Sequence, residues 1–509
     1  MRSERAPVRK ITIVGGGTAG WMTAALLSRL FVRGFEFRLI ESEEIGTIGV
    51  GEATIPAIRD YMQLAGIDQT EMIKATQATF KLGIDFVGWR DGSPGDRYFH
   101  GFGRIGRDIW WLHAHQLWLK LREMGKAAHF DDYALNCRAA MENKFCFADP
   151  RNPESPISGL DYAYHFDASL LARMLRGQAE ARGVERIEGR IVDVKLRGED
   201  GYVDHVVLAD GRSVDGDLFV DCSGMRALLI GGALGVGYED WSRWLLNDRA
   251  LAVPCESVDP LTPYVRCTTR DSGWQWRIPL QHRIGNGHVY SSAHLSDDEA
   301  ASMLLAGLDG KPLGDPRPVR FRTGKRDKAW EKNVVAVGLS GGFLEPLEST
   351  SIHLIQTAIV RLVALFPGGG FNQADMDEYN RQTDFEYRDV RDFIVAHYKV
   401  TEREDTPYWA YCKHMQVPDS LAERLALFRS SARFFIHGKA ELFREESWAQ
   451  VLIGQGLPAR YDPMVDMINE DELARFMADT ADVIGEVAAG MPGHANFIAR
   501  HCKAPPLAA

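Results

Sequence analysis

An α/β protein with a mainly helical C-terminal subdomain is the fold class this sequence predicts. Three observations carry it. The apolar strand ITIV at 11–14 runs into GGGTAG and then into the helical pattern WMTAALLSRLF. Two later apolar segments, DLFVDCSG at 217–224 and NVVAVG at 333–338, end in glycine as strand-to-loop joins do. After about residue 352 the apolar period is that of helices to the end of the chain.

The chain has 509 residues, too many for one ordinary core, so two or three domains or subdomains are expected. A hydrophobic content of 45% rules out global disorder. The formal charge is −11 and no Lys/Arg run forms a patch, which argues against a nucleic-acid binder. Seven cysteines (Cys137, Cys146, Cys222, Cys255, Cys267, Cys412, Cys502) lie scattered without a CxxC pair. That pattern fits free thiols in a reducing cytoplasm, and no metal site is expected. No apolar run approaches the roughly 18 residues of a membrane span. The basic N-terminus leads into a strand cut at once by GGGTAG, so it is not read as a signal peptide. Twelve tryptophans either pack cores or line aromatic cavities.

Taken in order, the first element is the most specific. Gly15, Gly17 and Gly20 form G-x-G-x-x-G between a strand and a helix. The first glycine permits the tight turn, the second lets backbone approach a pyrophosphate, and the third allows close helix–strand packing. The phosphates would rest on unpaired N–H groups at the helix start. Glu41, ending the second strand FEFRLIE, stands where an acid binds ribose hydroxyls. The late strand–glycine segments favour a long, extended FAD over NAD. The loop after the last of them reads Gly338-Leu-Ser-Gly-Gly and lacks the Gly-Asp of many flavin hydroxylases.

Next come a Gly-rich loop (GTIGVGEATIP, 46–56), a helix near 57–65 and a second helix containing ATFKLGIDF. Lys81 lies in that stretch among Phe80, Leu82, Ile84 and Phe86. On pattern alone it reads as a snorkelling surface residue; buried, it would be a nucleophile or hydrogen-bond donor. Residues 97–150, rich in aromatics, read as loop and helix. HFDASLLARMLRGQAEARG (165–183) is an amphipathic helix with Asp167 near its start, and 186–214 is a small antiparallel region. Alternating strands fill 250–295. In GWQWRIPL the alternation puts Trp274 and Trp276 on one face, with Pro279 ending the strand. On pattern alone they read as a packed aromatic pair. GGFLEPLESTSIHLIQ (341–356) reads as a capped helix start in which Glu345-Pro346 orders the preceding loop. His353, on the first turn, reads as a packing histidine. Pro463 and the Asn469-Glu-Asp turn interrupt the C-terminal helices, and no internal repeat occurs.

Together these residues resemble the flavin-dependent halogenases of the tryptophan halogenase-like family. The matching motifs are Gly15–Gly20, Gly49-Val-Gly-Glu-Ala-Thr-Ile-Pro56, Lys81 within FKLG, W-x-W-x-I-P at Trp274–Pro279, and Phe343-Leu-Glu-Pro-Leu-Glu-Ser-Thr350. They run to about residue 360, with looser similarity beyond. The resemblance implies an FAD-binding, Rossmann-like (GR2-type) flavin monooxygenase fold. Residues 1–360 would form the FAD-binding module, interleaved with substrate-side segments at about 80–150 and 250–295, and 361–509 a mainly helical subdomain completing the substrate side.

The implied chemistry starts with a separate flavin reductase supplying FADH2. With O2 and chloride or bromide, hypohalous acid forms and passes through a tunnel to Lys81, which hydrogen-bonds it or becomes a haloamine. An electron-rich aromatic ring is then attacked. Glu348 matches the catalytic glutamate, and the backbone N–H groups of Thr350 and Ser351 match the halide site. Ser351 replaces a glycine common in tryptophan halogenases, which suggests bromide preference. Trp274 and Trp276 would keep substrate from the flavin. His100 and Phe102, in YFHGFG, match pocket residues. Thr18, Ala19, Gly51, Ala53, Ile191, Leu344 and Ile352 complete the expected cofactor contacts. The lid of dedicated tryptophan halogenases has a Tyr pair; FREESWAQVLIGQGLPARY (443–461) has none, and Glu445, Glu446 and Trp448 are its nearest substitutes. An indole, free or carried on a larger molecule such as a peptide, is therefore expected rather than free tryptophan. The alternatives are an FAD-dependent aromatic hydroxylase and a non-catalytic flavin-binding protein.

Overall fold

A computed structural model describes residues 7–44, 51–149, 151–436, 438 and 441–507. Gly49 and Val50 of the glycine-rich loop lie outside the described residues. The chain divides into two compact units: residues 1–78, 166–243 and 320–388, and residues 79–165, 244–319 and 389–509. The segments expected at about 80–150 and 250–295 fall in the second unit with residues 389–509, whereas residues 361–388 fall in the first.

The first unit is built on a six-stranded sheet. Its strands lie in the order Trp330–Glu331, Val334–Ala336, Leu218–Asp221, Lys10–Val14, Glu36–Glu41, Glu185–Glu188. All neighbours are parallel except the first pair. Lys10–Val14 sits in the middle because it is apolar on both faces; Ile11, Ile13 and Val14 are buried. From it the chain crosses through the helix Thr18–Leu30 to Glu36–Glu41 on one side, while Leu218–Asp221 pairs on the other. The loops after Val14 and Asp221 thus leave in opposite directions, the switch point at which open α/β sheets bind ligands. A three-stranded antiparallel sheet (Ile191–Leu196, Val203–Leu208, Ser213–Asp215) covers part of this core through Val203, Val206 and Leu208. Asp167 caps the helix Ala168–Ala181 by accepting from Ser169 and Leu170 N–H groups. It ties down two of the donors that a helix start leaves open.

The second unit holds a larger sheet. Six successive strands are Arg249–Cys255, Ile284–Tyr290, Trp274–Pro279, Val265–Thr269, Gly83–Val87 and Arg97–Gly101. Only Val265–Thr269 with Gly83–Val87 is parallel. The expected helix over ATFKLGIDF is two strands, Thr79–Lys81 and Gly83–Val87. The sequence TFKLGIDFV has the aromatic and β-branched content of strands, and Gly83 is a poor helix residue. A Cβ there would also stand 2.4 Å from the His100 carbonyl of the neighbouring strand. Arg97–Gly101, expected as loop, is a further strand, buried from Tyr98 to Gly101. The helix Glu445–Gly454 packs against the strand Arg97–Gly101, and Glu470–Gly490 starts on an Asn469 side-chain cap.

Candidate active site

In the first unit the glycine turn has the geometry its spacing predicts. Gly15 has φ +114°, and a Cβ on it would lie 2.2 Å from the Cys222 carbonyl. A Cβ on Gly20 would lie 1.8 Å from the Gly15 carbonyl. At Gly17 nothing lies within 4 Å of that position, so the backbone there is open to a ligand. Gly17 is also the N-cap of Thr18–Leu30, with no side-chain cap and no acid in the first turn. The N–H groups around Thr18 and Ala19 therefore keep the positive end of the helix available to an anion. Gly338, at φ +73°, lets the loop after Val334–Ala336 approach the same turn; its Cβ would meet that of Ala19 at 2.9 Å. This cradle fits a dinucleotide pyrophosphate.

Glu41 reaches back over the turn, since a Cβ on Gly16 would stand 1.6 Å from its Oε2. The Trp21 indole N–H donates to that oxygen at 3.2 Å, while Arg186 and, at 3.5 Å, Arg176 pair with Oε1. Sequence spacing located the acid but not this clamp, whose members come from distant parts of the chain. Of the other expected contacts, Gly51 and Ala53 form the ends of a short buried strand. Ile191 begins the small antiparallel sheet, half-buried against the core. Leu344 and Ile352 have buried side chains, leaving only their backbones to meet a ligand.

The EPLEST segment is also in this unit. Glu345 and Glu348 are buried, and Pro346–Glu348 makes one 3₁₀ turn. Ser349 then takes left-handed backbone at φ +59°, which aims the chain into the helix Ser351–Ala364. The expected capped start is corrected here. Thr350 is the N-cap, yet its side chain caps nothing, because its backbone is already helical at φ −88°, ψ −11°. Its buried Oγ1 has no hydrogen-bond partner among the described residues, and the first turn contains no acid. A wholly buried hydroxyl beside the N–H groups of a helix start, which have no partner within the helix, suits a small anion. His353 behaves as a packing residue: its Nε2 is 3.3 Å from Glu386, which also takes Arg361 at 2.9 Å. Against the opposing effect of burial, the His353 hydrogen bond and the Arg361 guanidinium hold the Glu386 carboxyl below its ordinary pKa.

In the second unit Lys81 overturns the surface reading. It is wholly buried, on a strand paired with Ala163–Asp167, and its Nζ lies 5.2 Å from the centre of the Phe102 ring. Pattern failed because it does not show that all three residues of this edge strand, charged or not, are buried. Phe102 follows the neighbouring strand and bonds through its N–H to the Leu82 carbonyl, so the structure brings it to Lys81. His100 is buried instead against Phe393 and Phe443, with ring centres at 5.5 and 6.2 Å. Trp274 and Trp276 share one face, centres 6.1 Å apart. The Trp276 ring lies across Gly287 of the next strand, where a Cβ would be 2.1 Å from it.

The nearest lid substitutes are structural. Trp448 is wholly buried, with the Arg424 guanidinium 4.5 Å over its ring. Glu445 accepts from His113 Nε2 at 2.8 Å, while Asp108 lies 3.2 Å from Nδ1. Those hydrogen bonds, Asp108 first, push the His113 pKa up to about 10. Glu446 opens the same helix, Glu445–Gly454.

Comparison with known proteins agrees with this geometry. The tryptophan halogenase family matches residues 10–470. A 7-chloro-L-tryptophan 6-halogenase of Kutzneria sp. (strain 744) is 35% identical, covering 96% of this chain and 99% of its own. A flavin-dependent halogenase from Xanthomonas campestris superposes with a TM-score of 0.95 at 48% identity, covering 99% of this chain and 100% of that one. One from Brevundimonas sp. BAL3 gives 0.92 at 48% identity, covering 97% and 99%.

Proposed function

Since the chain belongs to the tryptophan halogenase family and is a flavin-dependent halogenase, we propose that Lys81 delivers the halogen and Glu348 manages the proton of the ring it enters. The enzyme uses FADH2, O2 and halide, draws its FADH2 from a separate flavin reductase, and acts on an aromatic substrate. The flavin hydroxylase reading is set aside by that membership and by the missing Asp after Gly338.

Bound as FADH2, the flavin supplies with O2 the oxidising equivalent that turns halide into hypohalous acid. The residues proposed to hold it are Gly15, Gly17, Thr18, Ala19, Gly20, Gly51, Ala53, Ile191, Leu344 and Ile352, with Glu41 at the ribose. Thr350 and Ser351 N–H groups hold the halide. Lys81 presents an N–H or an amine to hypohalous acid; burial strengthens either interaction, because the surroundings screen charge weakly. Glu348 takes up the proton released when the ring regains aromaticity. Trp274 and Trp276 form a rigid aromatic wall that keeps the substrate from the flavin, and His100 and Phe102 shape its pocket. The observation that carries this reading is the complete burial of Lys81 against Phe102.

The substrate we assign is an indole, free or borne on a larger molecule such as a peptide, with bromide preferred over chloride. The missing Tyr pair and the engagement of Glu445 by His113 support it. A cytoplasmic location is supported by the seven cysteines, all of them free. The test is a panel of indole, tryptophan and an indole-bearing peptide with FAD, a reductase and each halide, read by mass spectrometry for the isotope pattern. Halogenated indole or peptide with little halogenated tryptophan is expected. Preferential halogenation of free tryptophan would overturn the substrate assignment, and preferential chlorination the halide assignment.

A further inference from the structure

Of the twelve tryptophans, all but Trp110 and Trp111 are buried. Those two are 73% and 63% exposed and stack on each other, ring centres 5.9 Å apart. They are the central residues of a tight turn. Ile109 and Leu112 exchange both backbone hydrogen bonds across it, at 3.0 and 2.9 Å. Trp110 is the first central residue and has φ +55°, a conformation that such turns usually give to glycine or asparagine. Neither folding nor solubility asks for a bulky apolar side chain there. Exposed tryptophans, already stacked on a fixed backbone, are typical anchors of a binding surface.

One helix holds both ends of the segment that presents them, all within the second unit. Gln450 accepts from the Gly101 N–H at 2.8 Å and donates to the Gly101 carbonyl at 3.0 Å. At the start of the same helix, Glu445 accepts from His113 Nε2 at 2.8 Å. The two grips are about 7.5 Å apart along the helix axis. Residues 101–113 therefore form a loop with neighbouring ends, a shape that often carries function. Inside it, the Gly106 N–H bonds the Tyr133 carbonyl, and Asp108 accepts from the Ala114 N–H at 2.9 Å. Phe102, whose ring lies 5.2 Å from the Lys81 nitrogen, begins the loop, and the exposed pair is at its turn. The chain between them spans at most about 28 Å. Arg104 and Arg107 lie on the same loop, exposed and in no ion pair among the described residues. The uncommitted charge beside the turn is thus positive, on a chain whose formal charge is −11.

We propose that Trp110 and Trp111 dock the chain of a peptide substrate: its indole enters the pocket at Lys81, an apolar residue beside the indole packs on the exposed rings, and an acidic residue meets Arg104 and Arg107. The inference rests on the indole reading given above, free or carried on a larger molecule, and commits it to the peptide. A free indole at the buried Lys81 leaves the exposed pair unused. A peptide of about eight residues has the contour to reach both.

The experiment compares the native enzyme with Trp110→Gly/Trp111→Ala, in which glycine suits the turn, and with Arg104→Glu/Arg107→Glu. The substrates are indole, a peptide of about eight residues with one tryptophan flanked by Leu and Glu, and the same peptide with Lys for Glu. Halogenation kinetics are read by mass spectrometry and oligomeric state by analytical ultracentrifugation. The tryptophan variant is expected to raise KM for the Leu/Glu peptide about 20-fold, with its kcat and both constants for indole within about 2-fold of native. The arginine variant should raise KM for the Glu peptide about 5-fold and lower it for the Lys peptide. Native KM for the Leu/Glu peptide in the tryptophan variant would overturn the proposal. Equal losses on indole and peptide would also overturn it, because the turn would then only support Phe102. A native dimer that becomes a monomer in the tryptophan variant, with peptide kinetics unchanged, would assign the pair to an interface between copies instead. If the double variant does not fold, Trp111→Ala alone carries the test, and native KM for the peptide in it overturns the proposal. A native enzyme that halogenates indole but neither peptide defeats this inference alone, whereas one that halogenates no indole compound removes the reading beneath it.

Discussion

The two units use polar groups in opposite ways. In the first, the groups we propose to work are main-chain N–H donors at two helix starts, Thr18–Leu30 and Ser351–Ala364, neither of which has a side-chain cap or an acid in its first turn. Some other helices are closed by side chains: Asp167 caps one, and Ser296 with Glu299 forms a capping box on another; Ala114–Glu123 and His494–His501 start as bare as the two proposed sites do. In the second unit the proposed working group is a side-chain amine, Lys81, buried on a strand. On the proposed roles, anions are held by backbone donors that no side chain caps, whereas the halogen is delivered by one buried amine, Lys81, with the buried Glu348 taking the ring proton.

That contrast can be broken from either side. The largest effect should come from the glycine turn. Gly20→Val places atoms against the Gly15 carbonyl, where a Cβ already lies at 1.8 Å. FAD affinity should fall by more than about 100-fold, roughly 3 kcal/mol, measured by flavin fluorescence, and hypohalite and halogenated product should vanish together. Hypohalite formation surviving this change would break the division. Glu348→Gln should leave hypohalite yield intact and lower ring halogenation about 100-fold, the size expected of a lost proton acceptor. Loss of both would assign Glu348 to oxidant formation instead.

Thr350→Val keeps the backbone donors and removes the partnerless hydroxyl; the halide KM should rise roughly 3- to 10-fold, about 1 kcal/mol. Ser351→Gly should shift the bromide-to-chloride ratio toward chloride by about 2- to 5-fold. The smallest effect concerns the second unit's stability. His113 has its pKa raised to about 10 by Asp108 and Glu445. A raised pKa stabilises the fold fully below the unfolded value near 6.5, and the contribution is lost as pH rises through about 10. Because the side chain is half exposed, His113→Ala should cost only roughly 0.5–1 kcal/mol at pH 7, and nothing at pH 11, in paired thermal melts.

The same contrast explains what the sequence revealed. The glycine turn was legible because Gly15 and Gly20 are required by backbone contacts under 2.5 Å, and such requirements leave a fixed spacing. The parallel strands around it were legible as apolar runs. Lys81 was located by motif resemblance alone; its apolar neighbours pointed to a surface helix, whereas it lies buried on a strand paired with Ala163–Asp167. The bare start at Thr350 was read as capped, since hydroxyls in a first turn usually do cap, and the ψ angle that prevents it is invisible in sequence. The Glu41 clamp and the grip of Gln450 on Gly101 join residues 145 and 349 positions apart, respectively, beyond any local pattern.

The division of labour is tested most directly by Lys81→Ala in one paired assay, with halide, reductase and indole, counting trapped hypohalite and halogenated indole from the same reaction. Native hypohalite yield and FAD affinity are expected, with ring halogenation down by on the order of 1,000-fold, about 4 kcal/mol of lost transition-state stabilisation. Halogenated indole formed at the native rate, or hypohalite lost along with it, would overturn the division between Lys81 and the flavin side.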